Sequence, residues 1–260
     1  MKLDKQTRQG KLIYFNHLPQ MMAIYENQHF RWLNFADITQ SIMNKRLPWQ
    51  LTLPHQVALL MPALFVPLTT VIEIGLGGGN LLRWLRKINN KLHFVSIESN
   101  RTVYECFEQY FNPNQLKFTQ FNNEFTLYLQ QNTLDRNWVI YDIFERIDSD
   151  SIALLSTFLS QINQNNQARC ISLNIPQSTE YENDIIQKLL QPFSRQYFIY
   201  KLEVPHYQNV IYHIIDKSLN HANALEAKSP TNFIVNPNNL PNYQYQRWLM
   251  YWQYSKQIFI

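Results

Sequence analysis

Four of the five glycines in this 260-residue chain, Gly75, Gly77, Gly78 and Gly79, are crowded into the run Ile74-Gly75-Leu76-Gly77-Gly78-Gly79-Asn80-Leu81. Average usage of about 7% would scatter roughly 18 glycines along a chain of this length. The crowding marks a backbone requirement, a turn tight enough to bring main chain against a ligand. A short apolar strand, Val71-Ile72-Glu73-Ile74, precedes the run. After it a helix opens at Asn80, and a helix N-terminus offers free N–H groups and partial positive charge. Glu98 then closes the next strand, near the ~20-residue spacing at which an acid accepts hydrogen bonds from ribose hydroxyls. Together these parts make a nucleoside site. The sixth loop position, glycine in the dinucleotide pattern, is Asn80, which favours adenosine with a short side arm over a pyrophosphate.

A second group stands at Tyr141-Asp142-Ile143-Phe144-Glu145, where the apolar strand from Trp138 to Ile143 ends. A carboxylate at the C-terminal end of a parallel strand lies above the crevice where open α/β sheets bind ligands. Asp142 is placed there to take a proton from an attacking nucleophile, and Glu145 to help hold a cationic substrate. His55, beside Pro54, is a candidate substrate contact, while Arg83 and Arg86 read as a solvated face of the first helix.

The frame around these groups follows from periodicity. From Thr70 onward, strands at Val71 to Ile74, Leu92 to Ile97, Leu116 to Phe121, Trp138 to Ile143 and Ala168 to Leu173 are separated by helical stretches. Crossovers of that length call for a parallel sheet. Gln196 to Val204 and Asn209 to Ile215 are joined by Pro205-His206-Tyr207-Gln208, short enough for an antiparallel hairpin at the sheet edge. Residues 51–216 thus read as an α/β domain with a doubly wound, seven-stranded, Rossmann-like sheet. The edge hairpin is typical of the S-adenosylmethionine-binding methyltransferase class, a fold-level analogy. Residues 1–50 read as a small β-strand unit, with runs at Lys11 to Asn16, Met21 to Tyr25, Phe30 to Phe35 and Ile38 to Met43. Residues 217–260 read as an Asn- and Pro-rich tail ending in an aromatic helix, Arg247 to Tyr254, that packs on the body.

Composition narrows the function classes. Hydrophobic residues make up 45% of the chain and aromatics 14%, which suits a folded protein. The net charge is only +4, with no basic run longer than Lys45-Arg46, so no nucleic-acid footprint is expected. No apolar run approaches the ~18 residues of a membrane helix, and the first residues lack a signal-peptide block. A cytoplasmic protein without membrane partners is the expectation. Cys106 and Cys170 have no paired spacing, which gives neither a disulfide framework nor a metal site.

Residues from about Tyr25 to Ile215 resemble the spermidine synthase family, the polyamine aminopropyltransferases. Phe30 to Met43 looks like that family's N-terminal strand unit, with Gln40 matching the glutamine that contacts the nucleoside product. Val71 to Leu82 resembles its glycine loop, and Val95-Ser96-Ile97-Glu98 its ribose-binding acid. Glu124 with Tyr128-Leu129 is similar to the acid and aromatic-Leu pair near the adenine amino group, Tyr141 to Glu145 to the catalytic strand end, and Asn209 to Tyr212 to the last hairpin strand. The resemblance implies S-adenosylmethionine or its decarboxylated form as the bound nucleoside, a small-molecule amine as substrate, and a homodimer. Three positions depart from the pattern. Gly78 stands where the family's synthases have an aspartate that binds the amine of the decarboxylated nucleoside. Pro54 replaces the tyrosine of a Tyr-His pair that leaves only His55, and the second catalytic acid is Glu145 rather than aspartate. Aminopropyl transfer to an amine is the leading expectation; methyl transfer in the same crevice, and a catalytically silent nucleoside-binding module, remain as alternatives.

Overall fold

The computed structural model describes residues 7, 9–17, 21–64, 69–134, 137–143, 148–165, 168–176, 179–219 and 242–259. Glu145 and most of the Asn/Pro-rich tail lie outside the described residues.

The N-terminal strands β1 (Lys11–Asn16), β2 (Met22–Glu26), β3 (Phe30–Phe35) and β4 (Ile38–Asn44) form an antiparallel meander in chain order. Met22 and Ile24 in β2, Leu33 in β3 and Met43 in β4 face the main core, while on the opposite face Trp32 and Ile42 form a small buried cluster with Leu53, beside exposed Leu12 and Phe15. A two-residue turn at Ala36-Asp37 pairs Phe35 with Ile38 and starts β4 on its way to the glycine loop.

The large sheet contains β5 (Thr70–Ile74), β6 (His93–Ile97), β7 (Thr119–Phe121), β8 (Trp138–Tyr141), β9 (Cys170–Pro176), β10 (Tyr197–Glu203), β11 (Asn209–Asp216) and β12 (Lys256–Ile258), in the order β12-β10-β11-β9-β8-β5-β6-β7. The pairs from β9 to β7 are parallel; β11 joins β9 antiparallel and turns back into β10. The seven expected strands are therefore present, and β12 adds an eighth on β10. All four residues of β8 are buried, as a central parallel strand covered on both faces requires. Alternation splits them: Trp138 and Ile140 point to one core, Val139 and Tyr141 to the other.

Helices cover both faces. On the first side lie α1 (Pro54–Leu59), α2 (Asn80–Ile88), α3 (Arg101–Cys106) and the aromatic helix Asn242–Tyr254. On the second lie Phe125–Gln131, which we label α4, then α5 (Ser149–Asn165) and α6 (Glu180–Leu190). The aromatic helix docks through Trp248, whose Nε1 donates to the carbonyl of Val57 at 2.6 Å and whose ring meets Trp84 edge-on at 5.2 Å. After Cys106 the backbone widens into a π-helical turn at Phe107–Phe111, which seats both phenylalanines in the core beside the glycine loop. None of the described helices is long and apolar enough to cross a membrane.

The chain runs outward from β5 to β6 and β7, then returns to the other side of β5 as β8. The crevice opened by that reversal, at the C-terminal ends of β5 and β8, is where doubly wound sheets take ligands. The glycine loop leaves β5 there and Asp142 follows β8 there.

Candidate functional site

A cavity of about 700 Å³ occupies this crevice, within the roughly 300–1,000 Å³ of small-molecule sites. Its floor is the glycine loop, one wall is β4, and the rim comes from the ends of β6, β8 and β9. Gln40, His55, Gly75, Gly77, Gly78, Glu98, Glu124 and Asp142 all line it. Among the described residues the structure thus brings together every sequence-predicted site residue except Gly79, which packs behind the loop.

The four loop glycines serve different purposes. Gly75 has φ +93°, and a Cβ there would collide with the carbonyl oxygen of Asp142, so it lets the ends of β5 and β8 close on each other. A Cβ on Gly78 would strike Ser41 of β4, and one on Gly79 the ring of Phe107. Of the four, only Gly77 has nothing within 4 Å of where a Cβ would stand, which leaves its main chain open toward the cavity.

Where the loop meets β4 and α1 runs a buried polar network, of which Ser41, Gln56 and Asn80 also border the cavity. Ser41 Oγ donates to Asn80 Oδ1 at 2.8 Å, while Asn80 Nδ2 donates to the carbonyl of Ile42 and to Gln56 Oε1, both at 3.0 Å. Arg83 is not on a solvated face: it is 2% exposed. Its guanidinium donates to the carbonyls of Pro48 (2.7 Å), Phe111 (2.8 Å) and Gly78 and to Asn80 Oδ1. The loop after β4 and the π-helical turn close over that side of α2, which one-dimensional periodicity does not register. Arg86, one turn further on, stays at the surface and donates to the carbonyls of Asn90, Leu92 and Lys117.

Glu98 both faces the cavity and fastens the loop, accepting from Leu76 N at 3.2 Å and Asn100 N at 2.9 Å. Burial raises its pKa; the N–H groups of Asn100, Leu76 and Gly77 pull the other way, and Glu124 adds to the rise. A carboxylate has about four acceptor positions, so hydroxyls of a ribose can still be met. Glu124 sits at the N-cap of α4, on the cavity rim. Asp142 is aimed by a relay along the strand ends: Asn174 Nδ2 donates to its Oδ1 at 2.7 Å, and Asn209 Nδ2 donates to Asn174 Oδ1 at 3.0 Å.

Three polar atoms at the cavity are buried without a hydrogen-bond partner among the described residues: Gln40 Nε2, His55 Nδ1 and Glu73 Oε2. Burial pushes the His55 imidazole pKa down, and the Asp142 carboxyl works against that fall. Glu73 is only 1% exposed, and burial, Asp142 and Glu98 together hold its pKa well above the ordinary value, with Arg83 opposing. Sequence reasoning passed over Glu73 and Asn174, and placed Arg83 on a solvated face. For Glu73 and Asn174 a signal existed: each is a polar residue with apolar neighbours on either side in a central strand, where burial is expected.

Loop, acids and unpartnered atoms fit an adenosine-type nucleoside. Among the described residues no group of three or more His, Cys, Asp or Glu is set to hold a metal ion. No protein-family model and no curated protein matches the chain in sequence. Solved structures do match. A spermidine synthase in complex with the transition-state analogue AdoDATO aligns with a TM-score of 0.62 at 15% identity, covering 92% of this chain and 89% of that one. The fold is the one spermidine synthases have. The spermidine synthase from Thermotoga maritima gives 0.59 at 15% identity over 92% and 88% of the two chains. Human methyltransferase-like protein 13 in complex with SAH gives 0.53 at 13% over 78% and 93%.

Proposed function

We propose that this protein is a spermidine synthase-like transferase that binds an S-adenosylmethionine-type nucleoside and moves its aminopropyl group to an amine. The observation that carries the reading is the charge of the cavity. Glu73, Glu98, Glu124 and Asp142 all line it, and no Lys or Arg does among the described residues. Such a wall suits two cationic ligands, a sulfonium nucleoside and an amine. Glu98 would take the ribose hydroxyls, Gly77 would offer main chain to the side arm, and Gln40 Nε2 would donate to the nucleoside. A sulfonium group, once bound, supplies a carbon already activated for displacement. What is left to the chain is to hold the amine in line and accept the proton it sheds as the new C–N bond forms and the C–S bond breaks. Asp142, fixed by Asn174, is the base; His55 and Glu145 help hold the cationic acceptor.

Methyl transfer is the second reading, favoured by Gly78, whose neighbour Ser41 fills the place of the amine-binding aspartate. Incubation with each nucleoside and a series of diamines, followed by mass spectrometry, separates the two. The expected products are the amine enlarged by an aminopropyl unit and methylthioadenosine, both lost in Asp142→Asn. A methylated amine with S-adenosylhomocysteine overturns the proposal in favour of methyl transfer. No product with any amine leaves a binding module.

A further inference from the structure

We propose that the amine this protein accepts is a primary monoamine with an apolar body, in preference to a diamine. The inference rests on the transferase reading above and names the substrate class of the same cavity. Its ground is the difference between the two halves of the lining.

The order of the strands divides the cavity at β5, which carries Glu73 and leads into the glycine loop. Toward β6 and β7 the lining carries Glu98, Asn100, Asn123 and Glu124. Toward β8, β9 and β11 its larger side chains are apolar. Ile143 follows Asp142 and brings its Cγ2 against Gly75, Leu154 comes from α5, Pro176 ends β9 opposite Asn209, and Tyr207 lies in the turn before β11. Among the described residues Asp142 is the one charged group on that half. Its amides, Asn174 and Asn209, are turned to aiming Asp142. Ile143 and Leu154 also pack on the core beneath, which fixes the apolar wall in place. Flanking the β3–β4 turn, Phe35 and Ile38 join the lining, and Ile38 is 54% exposed, so part of the rim is apolar too.

The amine nitrogen lies at Asp142, which takes its proton as the N–C bond forms, the C–S bond breaks and sulfur keeps the electron pair in the departing methylthioadenosine. The rest of the acceptor then runs along Ile143, Leu154 and Pro176. A diamine carries its second ammonium group onto this surface, where no carboxylate beyond Asp142 stands among the described residues to offset the lost hydration. A methyl or larger apolar group in the same place gains by leaving water.

Initial rates of the full chain with decarboxylated S-adenosylmethionine and one of two isosteric acceptors test the proposal: pentylamine, and linear diaminobutane with an amine at each end. The two differ by a methyl group against an ammonium group. The wild type should use pentylamine at least about tenfold better in kcat/KM. Leu154→Asp, which sets a carboxylate in the apolar wall, should shift the ratio about tenfold or more toward the diamine while methylthioadenosine binding stays unchanged. Equal use of the two amines by the wild type, or a preference for the diamine such as a partner carboxylate at Glu145 would produce, overturns the inference and leaves the transferase reading standing. An unshifted ratio in Leu154→Asp overturns it as well. Transfer to neither amine overturns the transferase reading and the inference with it. Should Leu154→Asp lose methylthioadenosine binding, the wild-type ratio decides alone.

Discussion

On the side of the glycine loop that meets the N-terminal sheet, Ser41, Gln56, Asn80 and Arg83 exchange hydrogen bonds with one another and with the carbonyls of Ile42, Pro48, Gly78 and Phe111. Elsewhere in the lining of the same cavity that Ser41, Gln56 and Asn80 border, Gln40, His55 and Glu73 each keep a buried polar atom with no partner among the described residues. A buried donor or acceptor left unmade costs on the order of 1–3 kcal/mol. The first set therefore builds the loop and the second works against the empty fold. What separates structure from recognition here is hydrogen-bond satisfaction rather than residue type, since both sets contain amides and charged groups.

That contrast can be broken by mutation. Arg83→Met, which strips the network of its central donor and leaves carbonyl acceptors unpaired, should lower stability by about 3–5 kcal/mol in urea titration. A variant that unfolds with the wild type would remove the network from its structural role. Gly78→Asp restores the aspartate of the family pattern but drives it into Ser41. About 1–3 kcal/mol of stability should be lost, and part of it regained when Ser41→Gly is added. Asn174→Ala should leave the fold intact and reduce kcat about tenfold with little change in nucleoside KM, because only the aim of Asp142 is loosened. Among the unpartnered groups the sign reverses: Glu73→Met should raise the melting temperature of the ligand-free protein, by about 1 kcal/mol in stability, since a desolvated carboxyl is removed.

The pH dependence sharpens the same point. Glu73 and Glu98 have folded-state pKa values above 4.5, so between that value and their folded pKa the native state holds more protons than the unfolded chain. Stability of the ligand-free protein then falls as pH rises through this window. Glu73→Met should flatten the slope; an unchanged slope would mean that Glu73 ionises freely in the fold.

Much of this fold is written in local periodicity. The apolar strands of the large sheet and the helices between them declare themselves within short windows, and the hairpin of β10 and β11 does so through its short connection. Strand β12 does not, because three residues, Lys256-Gln257-Ile258, hold no alternation to read. In the site, the glycine run, Glu98 and Asp142 are legible from spacing along the chain. Arg83 is not, because its burial depends on Pro48 and Phe111 arriving from distant segments. Asn80 counted in the sequence only as a missing glycine, yet it is the junction where β4, α1 and α2 meet.

The contact between Ser41 and Gly78 couples two positions 37 residues apart in the chain. With the serine in place a side chain at 78 has no room, and a glycine at 41 alone gives up a buried hydrogen bond to Asn80. Each single change is a loss that the other only partly offsets, so the pair behaves as one unit under mutation.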